Sequence, residues 1–142
     1  MFSADGQADD PFRAAMLFRA GEGLGASNDQ ISYLLATSSR RQIYTFRSPK
    51  GEVIGYLSYA RISKYTLRML IEDPNQRLKL DELSEGRLLY VLDAAFARRQ
   101  FRTAMTLMAR RLRESRVVCF TKGGQLRLLR RGKYGFKRAR PA

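Results

Sequence analysis

Apolar positions recur at helical spacing in several stretches of the chain and gather into strand-like blocks between them. In "DDPFRAAMLFRAGEG", Asp10 is placed to cap a helix, Pro11 suits its first position, and Gly21 and Gly23 end it. Phe12, Ala15, Met16 and Arg19 share one mostly apolar face of that helix. "SNDQISYLLATSSRR" predicts a second, shorter helix with Ser27 or Asn28 as its cap. "QIYTFRS" and "VIGYLSYA" flank "PKGE" and predict a hairpin. The second strand is apolar on both faces, which predicts a central position in a sheet. Gly55 inside it marks a bulge or a close approach of backbones.

Further along, "SKYTLRMLIEDP" predicts a helix stopped by Pro74, and "RLLYVLD" a buried strand. "ARRQFRTAMTLMARRLRE" predicts an amphipathic helix. Phe101, Ala104, Met105, Met108 and Leu112 form its apolar stripe, and Arg98, Arg102 and Arg113 lie roughly opposite. "RVVCFT", "KGG" and "QLRLLRR" predict a basic hairpin, followed by the tail "GKYGFKRARPA". The order α α β β α β α β β predicts an α+β fold, a mixed β-sheet flanked by helices. We expect a single domain over residues 1–142, with 1–8 and 134–142 as flexible tails.

Composition narrows the function classes. A chain of 142 residues with 44% hydrophobic content can build a core. Its apolar runs are too short to span a bilayer. The start, "MFSADGQADDPF", is acidic and polar, unlike a secretory signal. The one cysteine, Cys119, has no partner for an internal disulfide, which fits a cytoplasmic location, and it reads as a small buried hydrophobe. With no histidine, His-based triads, His metal sites and the commonest general base are excluded. One Cys and no His leave no zinc site, and no metal is expected.

The charge is lopsided. Residues 1–97 hold 12 Lys/Arg and 12 Asp/Glu; residues 98–142 hold 15 Lys/Arg against Glu114 alone, and so carry the whole net +14. A basic C-terminal third predicts an acidic partner: nucleic acid, an anionic membrane or an acidic protein. Basic and aromatic residues interleave in "RRGKYGFKRARPA", where Tyr134 or Phe136 can stack on bases, but no helix-turn-helix, RNP motif or zinc finger is present. "AGEGLGA" carries Gly21, Gly23 and Gly25, yet it follows a helix and lacks both the G-x-G-x-x-G spacing and a Lys-Ser/Thr pair. It reads better as a flexible loop beside a site than as a phosphate cradle.

Asp93 follows the apolar run Leu88–Leu92 in "SEGRLLYVLDAAF". Two readings stand. A carboxylate there can cap the following helix, where orphan N–H groups and the positive dipole end favour it. It can also be a catalytic acid fixed at a strand end.

From "RRQIYTF" onward, the chain resembles the toxin-activating lysine acyltransferases, which modify RTX protoxins. Gln42 to Phe46 match, as do "GEVIGYLSYA" against the family's V-A-Y-C-S-W-A and "EGRLLYVLDAAF" against G-D-R-x-W-x-I-D-W-I-A-P-F. "RVVCFTKGGQLRLLRRGK" resembles the family's last two strands, and order and spacing agree over roughly residues 12–133. The resemblance implies a fold like that of the N-acetyltransferase superfamily. It also implies transfer of a fatty acyl group from acyl carrier protein to a lysine of a protein, as in toxin activation.

Residue by residue, the family's catalytic Asp falls on Asp93. Ser58, Tyr59 and Ala60 take the place of S-W-A, with Tyr for Trp, and Gly86 matches a family Gly while Arg87 replaces the Asp after it. The A-P element is lost near Phe96 and Ala97, and the family's helix Asn falls on Tyr33. The catalytic His belongs in the loop around Gly21–Gly25, where this chain has none. Lysine acylation needs a neutral amine, whose solution pKa is ~10.4. Glu22, standing where the His would be, can serve as base, as can Asp93. The resemblance makes Ser58, Tyr59 and Tyr33 substrate-binding. It gives Arg98, Arg99, Arg102, Arg110 and Arg113 the docking of an acidic acyl carrier protein. No cofactor is expected to be bound; the donor is acyl carrier protein or acyl-coenzyme A. A catalytically silent relative acting as a binding protein, or a basic nucleic-acid-binding module, is the alternative. The oligomeric state stays open, a homodimer included.

Overall fold

The computed structural model describes residues 10–132 and 135–139. Its elements are α1 (Pro11–Gly21), α2 (Asn28–Ser39), β1 (Ile43–Arg47), β2 (Val53–Ile62), α3 (Lys64–Glu72), a 3-10 turn (Leu80–Leu83), β3 (Leu88–Phe96), a second 3-10 turn (Arg98–Gln100), α4 (Phe101–Leu112), β4 (Val117–Lys122), β5 (Gln125–Gly132) and β6 (Gly135–Ala139). The strands follow sequence order in a mixed sheet, with β3 and β4 parallel and the β1–β2, β4–β5 and β5–β6 pairs antiparallel. This is the α+β class that the sequence predicts. Among the described residues no helix is long and apolar enough to cross a membrane.

The chain groups into two compact units, one of residues 1–58 and 93–109 and one of residues 59–92 and 110–142. In the first, Asp10 caps α1 by accepting from the Phe12 and Arg13 N–H groups, with Pro11 at the start. Ser27 caps α2 in a capping box with Gln30. β1 and β2 pair antiparallel from Ile43↔Ser58 to Phe46↔Gly55, and the register slips at Arg47. Ala15, Phe18, Leu34, Ile43, Tyr56 and Ala95 form the core of this unit. Gly55 is a close approach: a Cβ there would lie 2.8 Å from the Ala95 carbonyl oxygen.

In the second unit Ser63 caps α3, and Asp73 follows the helix just ahead of Pro74. β4 and β5 form a hairpin whose turn is Gly123-Gly124, both at positive φ. That backbone is free to glycine and strained in other residues. β3 pairs with β4 at Leu89↔Val118 and Tyr90↔Cys119. Gly86 is the tightest position, since a Cβ there would lie 2.0 Å from the Ile62 carbonyl oxygen. Cys119 is fully buried, as expected of a small strand hydrophobe, and burial pushes its thiol up to about 12.

Two expectations change. Residues 135–139, read as part of a flexible tail, form β6, because the backbone from Leu128 to Gly132 offers it a free edge. The expected tail over residues 1–8 lies outside the described residues, as do 134 and 140–142. Phe101, assigned to the apolar stripe of α4, is 51% exposed. The helix proper starts there, so Ala104 and Leu112 are buried, and Phe101 instead packs edge-on against Phe96 at 5.9 Å.

Candidate functional site

Asp93 does not cap a helix. β3 continues through it to Phe96, and α4 begins only at Phe101. The carboxylate belongs to a largely buried network of the first unit. Tyr56 Oη donates to Asp93 Oδ2 at 2.5 Å, and Arg19 Nη1 donates to Tyr56 Oη at 3.0 Å. Arg19 Nη1 also lies 3.6 Å from Asp93 Oδ2, and both side chains are more than four-fifths buried. Arg19 reaches further: its Nε donates to the Gly25 carbonyl at 3.1 Å, and its second terminal nitrogen contacts the same oxygen. Burial, then the hydrogen bond to Asp93, pushes the Tyr56 phenol well above its usual value, so it stays protonated.

The network therefore ties down the glycine loop that follows α1. Glu22, on that loop, accepts from the Arg98 backbone N–H at 3.3 Å. Glu22 lines a cleft of about 990 Å³ that lies within the first unit. Leu17, Phe18, Leu24, Ile54 and Phe96 give this cleft apolar walls. Arg13, Arg47, Arg98 and Arg99 give it a basic margin. The Ala97 N–H donates to the Ile54 carbonyl at 2.8 Å, holding the end of β3 beside the start of β2 where the cleft opens.

Among the residues singled out from the sequence, Glu22, Arg98 and Arg99 come together at this cleft, and Arg102 stands exposed on the next turn. Asp93 is not among the lining residues; it reaches the loop only through Arg19. Ser58 is buried and shares a 2.9 Å hydrogen bond with Thr37, whose hydroxyl also donates to the Tyr33 carbonyl at 2.7 Å. Ser58 and Tyr33 thus meet at Thr37, away from the cleft walls. Tyr59 is buried in the second unit, with the Arg61 guanidinium 5.1 Å from its ring centroid. Arg110 and Arg113 are exposed in that second unit.

Arg19 and Tyr56 were missed as site residues. The available signal was a cation on the apolar face of α1 and a carboxylate at the end of an apolar strand, two charges that each need a buried partner.

No protein-family model matches the sequence, and no curated protein matches it significantly.

Proposed function

We propose that this chain is a protein-lysine acyltransferase of the RTX toxin-activating kind, taking a fatty acyl group from acyl carrier protein. The observation that carries the reading is the cleft: apolar walls that suit an acyl chain, beside a basic margin that suits the phosphate of a carrier's prosthetic arm. Arg98, Arg99 and Arg102, all of the first unit, are the docking residues for an acidic carrier. The likeness of the element order to the N-acetyltransferase fold, and a cytoplasmic location, belong to the same reading.

In this reading Glu22 is the general base. The acceptor lysine's amine attacks the thioester carbonyl carbon and forms the amide C–N bond. The C–S bond breaks, the amine's proton passes to Glu22, and from there it goes to the departing thiolate. Asp93 is a positioning residue. It holds Arg19, Arg19 holds the Gly25 carbonyl, and the loop so fixed presents Glu22 to the cleft.

Binding separates this from a generic attraction between opposite charges. Acylated carrier is expected to bind more tightly than the same carrier without its acyl chain, and Leu24→Glu is expected to erase the difference. Equal affinity for the two carriers would reject the acyl cleft.

A further inference from the structure

We infer that the first unit attaches to anionic lipid surfaces through the face that carries Leu17, Leu24 and Phe101. These side chains are 61%, 43% and 51% exposed. Leu17 and Leu24 line the mouth of the cleft, and the Phe101 ring stands edge-on to Phe96, which lines it too. A single exposed leucine is ordinary, but large apolar side chains gathered around one opening mark an interaction surface.

The charges beside them select the partner. Arg98 and Arg99 border the same cleft, and Arg102 follows Phe101 directly; all three are exposed. Apolar side chains that can enter the acyl boundary, ringed by guanidinium groups that pair with headgroup phosphates, match an anionic bilayer surface. Nucleic acid would use the arginines and leave the leucines in water. With no helix able to cross a membrane among the described residues, attachment at this face is peripheral. The inference does not depend on acyl transfer, since it needs only the exposed face.

The test is sedimentation of the full chain with phosphatidylcholine vesicles, with and without phosphatidylglycerol. Binding is expected only when phosphatidylglycerol is present. Leu17→Asp and Phe101→Asp should each weaken it about tenfold. Arg98→Gln, Arg99→Gln and Arg102→Gln should each weaken it about fivefold. The triple variant Arg113→Gln, Arg116→Gln, Arg130→Gln removes three charges from the second unit, as many as Arg98→Gln, Arg99→Gln and Arg102→Gln combined, and should weaken binding much less than that combined variant. The chain has no tryptophan, so Phe101→Trp supplies a lone reporter whose emission should shift to the blue on the vesicles. Unchanged binding by the Leu17 and Phe101 variants would overturn the inference. So would an equal loss in the Arg113 triple variant, or full displacement from vesicles by RNA, because each means a nonspecific attraction to polyanions. Circular dichroism of each variant verifies that the fold persists.

Discussion

Tyr56 donates its phenolic hydrogen to Asp93 at 2.5 Å while accepting one from Arg19 at 3.0 Å. One tyrosine from β2 thus sits between a cation from α1 and an anion from β3, in surroundings that exclude most water. Removing one partner leaves the other charge buried and uncompensated, which costs far more than an exposed pair would.

Asp93→Asn is therefore expected to lower stability by about 3 kcal/mol, although its shape is nearly conserved. Arg19→Met should be costly alone, but much less so when combined with Asp93→Asn. Denaturant unfolding of the single and double variants measures that coupling. Additive losses would mean that the two charges do not stabilise one another.

Two glycines should rank by the space around them. Gly86→Ala forces a Cβ to 2.0 Å from a backbone oxygen, against 2.8 Å for Gly55→Ala. Gly55→Ala is expected to cost about 1–3 kcal/mol, as overpacking does, and Gly86→Ala more. Thermal melts of both variants give the order; a Gly86→Ala protein as stable as wild type would contradict the close approach at Ile62.

Alkaline pH should loosen the fold through Cys119 and Tyr56. Both groups have pKa values raised by burial, so the folded chain keeps protons that the unfolded chain releases. Their contribution is intact below the unfolded values. For Cys119 it is lost from about 9 upward, through about 12, and for Tyr56 from 10 upward. Each group that titrates only in the unfolded chain lowers stability by about 1.4 kcal/mol per pH unit. Cys119→Ala should flatten the onset near pH 9 in urea melts. An identical profile in wild type and variant would show that the thiol is not the cause.

Much of the fold is legible in the sequence because the caps and breakers are local. Asp10-Pro11, Ser27 with Gln30, and Pro74 mark helix ends without reference to the rest of the chain, and the structure follows them closely. Gly55 likewise announces a close approach, though not its partner near Ala95. The site was less legible, since it depends on pairs distant in sequence. Arg19 meets Tyr56 across 37 residues, and Glu22 meets Arg98 across 76. Helical periodicity placed Arg19 on an apolar face but could not say which anion joins it there. It also placed Phe101 on the apolar stripe of α4, yet the side chain stands 51% exposed directly after the turn at Arg98–Gln100.

In the proposed reading Glu22 serves acyl transfer in the cleft. The direct measurement is the release of free thiol from a carrier bearing a labelled acyl chain, with lysine-containing peptides as acceptors, and with mass spectrometry locating the label. Wild type is expected to release thiol in step with amide formation on a lysine side chain. Glu22→Gln, which keeps the cleft's shape, should slow the release by about 10²–10⁴-fold. A label that never reaches lysine, or equal rates for wild type and Glu22→Gln, would contradict the account.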